Sequence, residues 1–206
     1  MARVATVVRK QPWDVEARLH GLNLDRPGML KVRTVARSAA ADATPFHPLN
    51  SPGTLAYHFG TFALRDGNVG KNWQVARPEG VEGIYNASKN ILVVFSNVDV
   101  ACNDFIEPKP RSKKGAGAER VAQDNLFGAL PTYAPQPKGG MTVFYFMVDE
   151  KGACELSVPV VEDGTFTAYI ERNFLSDGGD LADVIDRVDN DGPMDNFDPQ
   201  VIRKRG

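Results

Sequence analysis

Residues 141–172 read MTVFYFMVDEKGACELSVPVVEDGTFTAYIER, and more of the fold is decided by this stretch than by any other. Met141 to Val148 is a continuous apolar run of strand length, which suits a strand buried on both faces. Asp149-Glu150-Lys151-Gly152 carries hairpin-turn residues, and beyond it Leu156, Val158 and Val160 alternate. Glu162-Asp163-Gly164 makes the next turn, after which Phe166, Ala168 and Ile170 alternate again. The stretch therefore predicts a three-stranded antiparallel meander.

Upstream of it, Leu130 to Gly140 holds three prolines and reads as a linker, and Glu119 to Leu126 reads as a short helix stopped by Gly128. Ile91 to Val100, with one Ile, one Leu and four Val, is the best strand of the first half. Trp73 to Ala76 and Val81 to Tyr85 predict two strands around the turn Arg77-Pro78-Glu79-Gly80. Leu55, Phe59 and Phe62 recur at i, i+4 and i+7, so Thr54 to Arg65 predicts a helix with this stripe as its apolar face. Ser51-Pro52 supplies a cap and a first-turn proline, and Asp66-Gly67 ends the helix. Ala39 to Pro52 reads as a loop, while Val4 to Val8 and Met29 to Val35 read as strands, the second on the alternation of Leu30, Val32 and Thr34. At the far end, Leu181, Val184, Ile185 and Val188 predict an amphipathic helix over Asp180 to Val188.

Together these readings give an α+β fold: a mixed, mainly antiparallel sheet with the C-terminal meander at 141–172 and a few short helices packed against it. The expected organisation is one domain over residues 1–176, carrying a basic surface loop at 107–120, followed by an acidic helix and tail at 177–206.

The chain has 206 residues, 42% of them hydrophobic and 24% charged, enough to bury a core as a single domain. Its N-terminus lacks the unbroken apolar core of a signal peptide, and no apolar run reaches the ~18 residues of a membrane span, so the expectation is a soluble cytoplasmic protein without membrane contact. Cys102 and Cys154 sit in apolar segments without CxxC or histidine spacing, which predicts buried free thiols. His20, His47 and His58 show no ligand spacing, and Ser88, Ser96 and Ser112 lack the GxSxG elbow of a hydrolase.

A net charge of −2 conceals an asymmetry. Residues 1–120 carry 17 Lys/Arg against 11 Asp/Glu, and residues 121–206 carry 7 against 15. A polyanion would meet the first part; equally, the two halves offer complementary surfaces for a homodimer. Within Asp177 to Asp198 lie eight aspartates and one base, Arg187. Asp189, Asp191, Gly192, Asp195 and Asp198 partly imitate a calcium loop, but arginine occupies its leading ligand position, so the segment reads as a solubilising acidic stretch.

Two constellations bear on function. Lys109, Arg111, Lys113, Lys114, Gly115, Gly117 and Arg120 form a basic, glycine-bearing loop that runs into a helix start, and these are the ingredients of an anion site. The order matches neither GxxxxGK[ST] nor GxGxxG, so neither ATP nor NAD is indicated, and no aromatic residue is interleaved for base stacking. The second constellation is Asp99 and Asp104 after the Ile91 strand and Asp149 after the Met141 strand. If those strands are parallel neighbours, the acids meet and can hold Mg²⁺ or Mn²⁺ for phosphodiester hydrolysis. Turn chemistry already explains Asp104 and Asp149. The charge distribution alone suffices for the first reading, so the expectation is a non-enzymatic protein without cofactor or metal that contacts nucleic acid or an acidic partner through the loop. The metal-dependent nuclease-like hydrolase is the alternative, and a protein-only scaffold a further one.

Overall fold

A computed structural model of the chain describes residues 6–128 and 140–181. Seven strands form one mixed sheet: β1 (Val7–Arg9), β2 (Gln74–Ala76), β3 (Gly83–Asn86), β4 (Ile91–Asn97), β5 (Thr142–Val148), β6 (Cys154–Glu162) and β7 (Thr165–Ser176). Their order is β1-β7-β6-β5-β4-β3-β2. The β4–β5 and β1–β7 pairs are parallel and the other four antiparallel. The helices are α1 (Pro12–Gly21), α2 (Arg26–Ala41), α3 (Ser51–Asn68) and α4 (Ala116–Gly128), with a 3₁₀ turn at Pro78–Gly80. The class is α+β, and β5–β7 is the meander read from the sequence. Its second turn consists of Asp163 and Gly164 alone, at φ 52° and 76°, the pair of positive values that a two-residue hairpin needs.

Alternation along β4 builds two cores. Ile91, Val93 and Phe95 join Phe144, Phe146, Leu156 and Val158 beneath α1, α2 and α3. Leu92 and Val94 join Val143, Tyr145, Met147, Phe166 and Tyr169 on the other face, where α4 contributes Val121 and Ala122. Both central strands are therefore buried on both faces, β4 from Ile91 to Ser96 and β5 from Val143 to Val148.

Three expectations need correction. Met29 to Val35 is not a strand but part of α2. Asp25 Oδ1 accepts the Gly28 N–H at 2.7 Å as N-cap, Pro27 occupies the first turn, and Met29, Val32, Ala36, Ala39 and Ala40 bury at helical spacing. The Leu30/Val32/Thr34 alternation was incidental. Nor does the Leu55/Phe59/Phe62 stripe face the core: Phe59 and Phe62 are exposed, and α3 buries Ala56, Gly60, Thr61 and Leu64. Small residues win this face because the helix lies close on the sheet, and a Cβ at position 60 would stand 2.5 Å from the Phe95 ring. Finally, the Ala39 to Pro52 loop is shorter than expected, since α2 continues to Ala41 and α3 begins at Ser51 behind Asn50.

Among the described residues no helix is long and apolar enough to cross a membrane. Cys102 and Cys154 are free thiols, and the Cys102 Sγ donates to the Cys154 and Ser176 carbonyls at 3.1 and 3.2 Å. Of the acidic C-terminal segment, Asp180 is described: it accepts from both Nη groups of the buried Arg33, at 2.7 and 2.8 Å. The linker at 130–139, the rest of the expected helix to Val188 and the calcium-like aspartates lie outside the described residues.

Candidate functional site

The residues of the basic loop are held in place. Beyond β4 the chain doubles back, with an antiparallel bridge between Val98 and Pro110, and the Arg111 N–H donates to the Asn97 carbonyl at 3.1 Å. Lys109 Nζ donates to the Phe166 carbonyl at 2.6 Å. Arg111 is paired with Glu150, and Arg120 donates to Glu79 at 3.2 and 2.8 Å. Lys113 is exposed, and its stem packs beside Gly164. The Gly115 carbonyl accepts from Ala118 and Glu119 as α4 begins. Gly117 sits so close to the chain at Glu79 that a Cβ there would lie 2.2 Å from the Glu79 carbonyl oxygen.

Lys114 departs most from a surface lysine. Its N–H is tied to the Gly164 carbonyl at 2.8 Å, and its side chain turns inward under α4. There Nζ donates to Ser96 Oγ at 2.8 Å and lies 5.7 Å from the ring centroids of both Tyr145 and Phe166. No carboxylate is paired with it among the described residues. Burial without a counter-charge disfavours the ammonium and brings its pKa down to about 8.

Lys114 lines a cleft of about 570 Å³. The cleft exists because β3 stops pairing at Gly83, opposite Val94, and the next strand-like pairing on that edge of β4 begins only where Arg111 meets Asn97, which leaves a gap at Phe95. Around this gap stand the first turns of α3 and α4, the connector from Glu79 to Glu82, and the loop from Arg111 to Gly115. Asn97 Nδ2 fixes the α3 side by donating to the Gly53 carbonyl at 2.8 Å. Two helix N-termini thus stand at one space, each with the positive end of its dipole, although in α3 Pro52 has no N–H and Ser51 and Thr54 donate to the Pro48 and Asn50 carbonyls. The acids of the cleft wall are already engaged: Glu79 by Arg120, Glu150 by Arg111, and Glu82 by Arg65 and Arg77.

Tyr145 lines the cleft from the floor. It is 1% exposed, and its hydroxyl has no hydrogen-bond partner among the described residues. Burial raises this phenol, and Tyr57 across the cleft raises it further. A buried hydroxyl without a partner is costly, which sets Tyr145 apart from the other cleft residues.

The strand-end acids are arranged differently. β4 and β5 are indeed parallel neighbours, which brings the two strand ends to one edge. Asp149, however, is buried and accepts three backbone N–H groups, from Ala101, Lys151 and Ala153 at 2.9 to 3.1 Å. Asp99 accepts from Val100 and Lys109, both at 2.7 Å, and Asp104 is paired with Lys10. Among the described residues no three His, Cys, Asp or Glu side chains are grouped to hold a metal ion.

Sequence reasoning named Lys114 but missed Ser96, Tyr145 and the α3 start as its surroundings. A signal existed: Tyr145 and Ser96 each place a hydroxyl inside a run of apolar strand residues. Comparison of the chain with protein-family models, curated proteins and solved structures gives no match.

Proposed function

We propose that this chain is a binding protein for a small organic anion, a carboxylate or phosphate monoester, held in the cleft by Lys114 and Tyr145. One observation carries the reading: a half-buried ammonium without a carboxylate and a buried phenol without an acceptor, among the described residues, line the same cleft beside two helix N-termini. Each lacks what an anionic oxygen supplies.

This reading narrows the expectation of a nucleic-acid or acidic-protein contact. Four of the five loop cations are turned to partners within the chain: Lys109 to a carbonyl, Arg111 and Arg120 to glutamates, and Lys114 to Ser96. A polyanion passing over the surface meets Lys113 free and must compete with glutamates for the exposed Arg111 and Arg120, which weakens the case for strong salt-dependent binding. The hydrolase alternative draws no support, because peptide N–H groups occupy the carboxylate oxygens of Asp149.

The test is a thermal-melting titration with inorganic phosphate and with succinate up to about 10 mM, in which ligand binding to the native state raises the midpoint by mass action. The expected result is a saturable rise that Lys114→Met abolishes and Tyr145→Phe reduces. No rise with either anion, together with salt-sensitive binding of labelled DNA or RNA that Lys113→Glu removes, would return the loop to polyanion recognition.

A further inference from the structure

A lysine holds an anion as its ammonium and attacks a carbonyl as its free amine, and a solvated lysine is almost wholly the former near neutrality. Lys114 is placed otherwise. Its Nζ is enclosed by the Ser96 hydroxyl and by two aromatic rings, and no acid compensates it among the described residues. The hydroxyl and the rings favour the ammonium, but desolvation outweighs them and lowers the pKa to about 8, so the free base is present near neutrality. At pH 7.5 about a quarter of such an amine is free base, against about one part in a thousand for a solvent-exposed lysine. The same amine lines a cleft large enough for a small ligand, and Tyr145, whose buried hydroxyl has no partner among the described residues, lines it too. A desolvated lysine amine in a ligand cleft, with a hydroxyl donor beside it, is the arrangement that makes lysine a nucleophile toward carbonyl carbon.

We propose that Lys114 forms a reversible imine with a small carbonyl compound that also carries an anionic group, a 2-oxo acid being the simplest member of the class. The proposal rests on the cleft being an anion site, since the anionic group is what brings the carbonyl to the amine. In the step, the Nζ lone pair forms a C–N bond to the carbonyl carbon while the carbonyl π pair moves onto oxygen, where Tyr145 is a hydrogen-bond donor in need of an acceptor. The two protons of the amine then leave with that oxygen as one water, and the C=N bond closes. No oxidant or reductant enters. Hydrolysis reverses the sequence.

The experiment treats the full chain with pyruvate and sodium cyanoborohydride, which reduces an imine to a stable secondary amine, followed by intact-mass measurement and peptide mapping. A single adduct is expected on Lys114, saturating with pyruvate, competed by inorganic phosphate, and forming more than about tenfold faster than on any other lysine because of its larger free-base fraction. Lys114→Arg keeps the charge and loses the adduct. Slow labelling spread over surface lysines, or a dominant adduct elsewhere, overturns the proposal without needing any variant to fold. A phosphate melting titration run in parallel separates the two readings. A phosphate shift with no Lys114 adduct sinks the imine and leaves the anion cleft standing; neither shift nor adduct sinks both.

Discussion

Arg172 and Lys114 are both cations held over aromatic rings of the same sheet, and their remaining surroundings are opposite. Arg172 is 4% exposed and its partner Glu155 fully buried. Its Nε and Nη2 donate to the two Glu155 oxygens at 2.9 and 2.7 Å, and its Nη1 donates to the Asn103 carbonyl at 2.9 Å. The same carboxylate also accepts from the Cys102 N–H and the Ser157 hydroxyl, at 2.7 and 2.8 Å. The rings of Tyr169 and Phe174 cover the guanidinium. Among the described residues Lys114 has the rings and one hydroxyl, no acid, and an open cleft. The first site is complete within the chain, so it serves the fold. The second is left short of a partner, which is how a binding site differs from a structural one when both are built from the same residue types.

The comparison can be broken most severely at the completed site. Glu155→Gln leaves Arg172 buried without its counter-charge, and the expected cost is about 3–5 kcal/mol, read as a large fall in the urea midpoint. Gly117→Ala comes next. Its methyl group would meet the Glu79 carbonyl oxygen, and displacing the α4 start costs about 1–3 kcal/mol and weakens anion binding with it. At the incomplete site the sign reverses: Lys114→Met removes a half-buried charge that has no acid among the described residues, so stability stays level or rises by about 1 kcal/mol while phosphate binding is lost.

A pH series sharpens the contrast. The Lys114 pKa is lower in the folded chain than in the unfolded one, so between about pH 8 and the ordinary lysine value the unfolded state binds more protons. Stability should therefore rise with pH across that window in wild type relative to Lys114→Met, the reverse of a lysine that gains an ion pair on folding. Urea midpoints at pH 7.5 and 9.5 check it, and a wild-type curve parallel to the variant would refute it. The smallest effect belongs to Tyr145→Phe, which discards an unsatisfied hydroxyl. Its stability should change by less than about 1 kcal/mol while anion affinity falls severalfold.

How far the sequence reveals these two sites depends on the range of the interactions involved. The meander was legible because each of its signals is local: Asp163-Gly164 permits one kind of turn, and the strands beside it alternate or are apolar throughout. α2 was misread because Leu30, Val32 and Thr34 alternate by chance within a helix whose buried face is mostly alanine, although Asp25-Arg26-Pro27 announced a helix start. α3 was recognised but turned the wrong way. Two phenylalanines outweighed Ala56 and Gly60 on paper, whereas close approach to Phe95 makes small residues the inner face. The basic loop was located correctly, but five like charges in a row look alike in sequence. That Lys114 points inward depends on Ser96, Tyr145 and Phe166, brought together by three different strands. The Arg172–Glu155 pair left no trace in the sequence, since its seventeen-residue separation has meaning only through the β6–β7 register.

The most direct test of the claim that the Lys114 cleft receives an anion is a crystal structure of the full chain grown with succinate or phosphate. The account predicts an anionic oxygen within hydrogen-bond distance of both Lys114 Nζ and Tyr145 Oη, beneath the first turn of α4. A cleft holding only water, with Lys114 swung out to solvent or the anion seated on Lys113 and Arg120 outside, would contradict it.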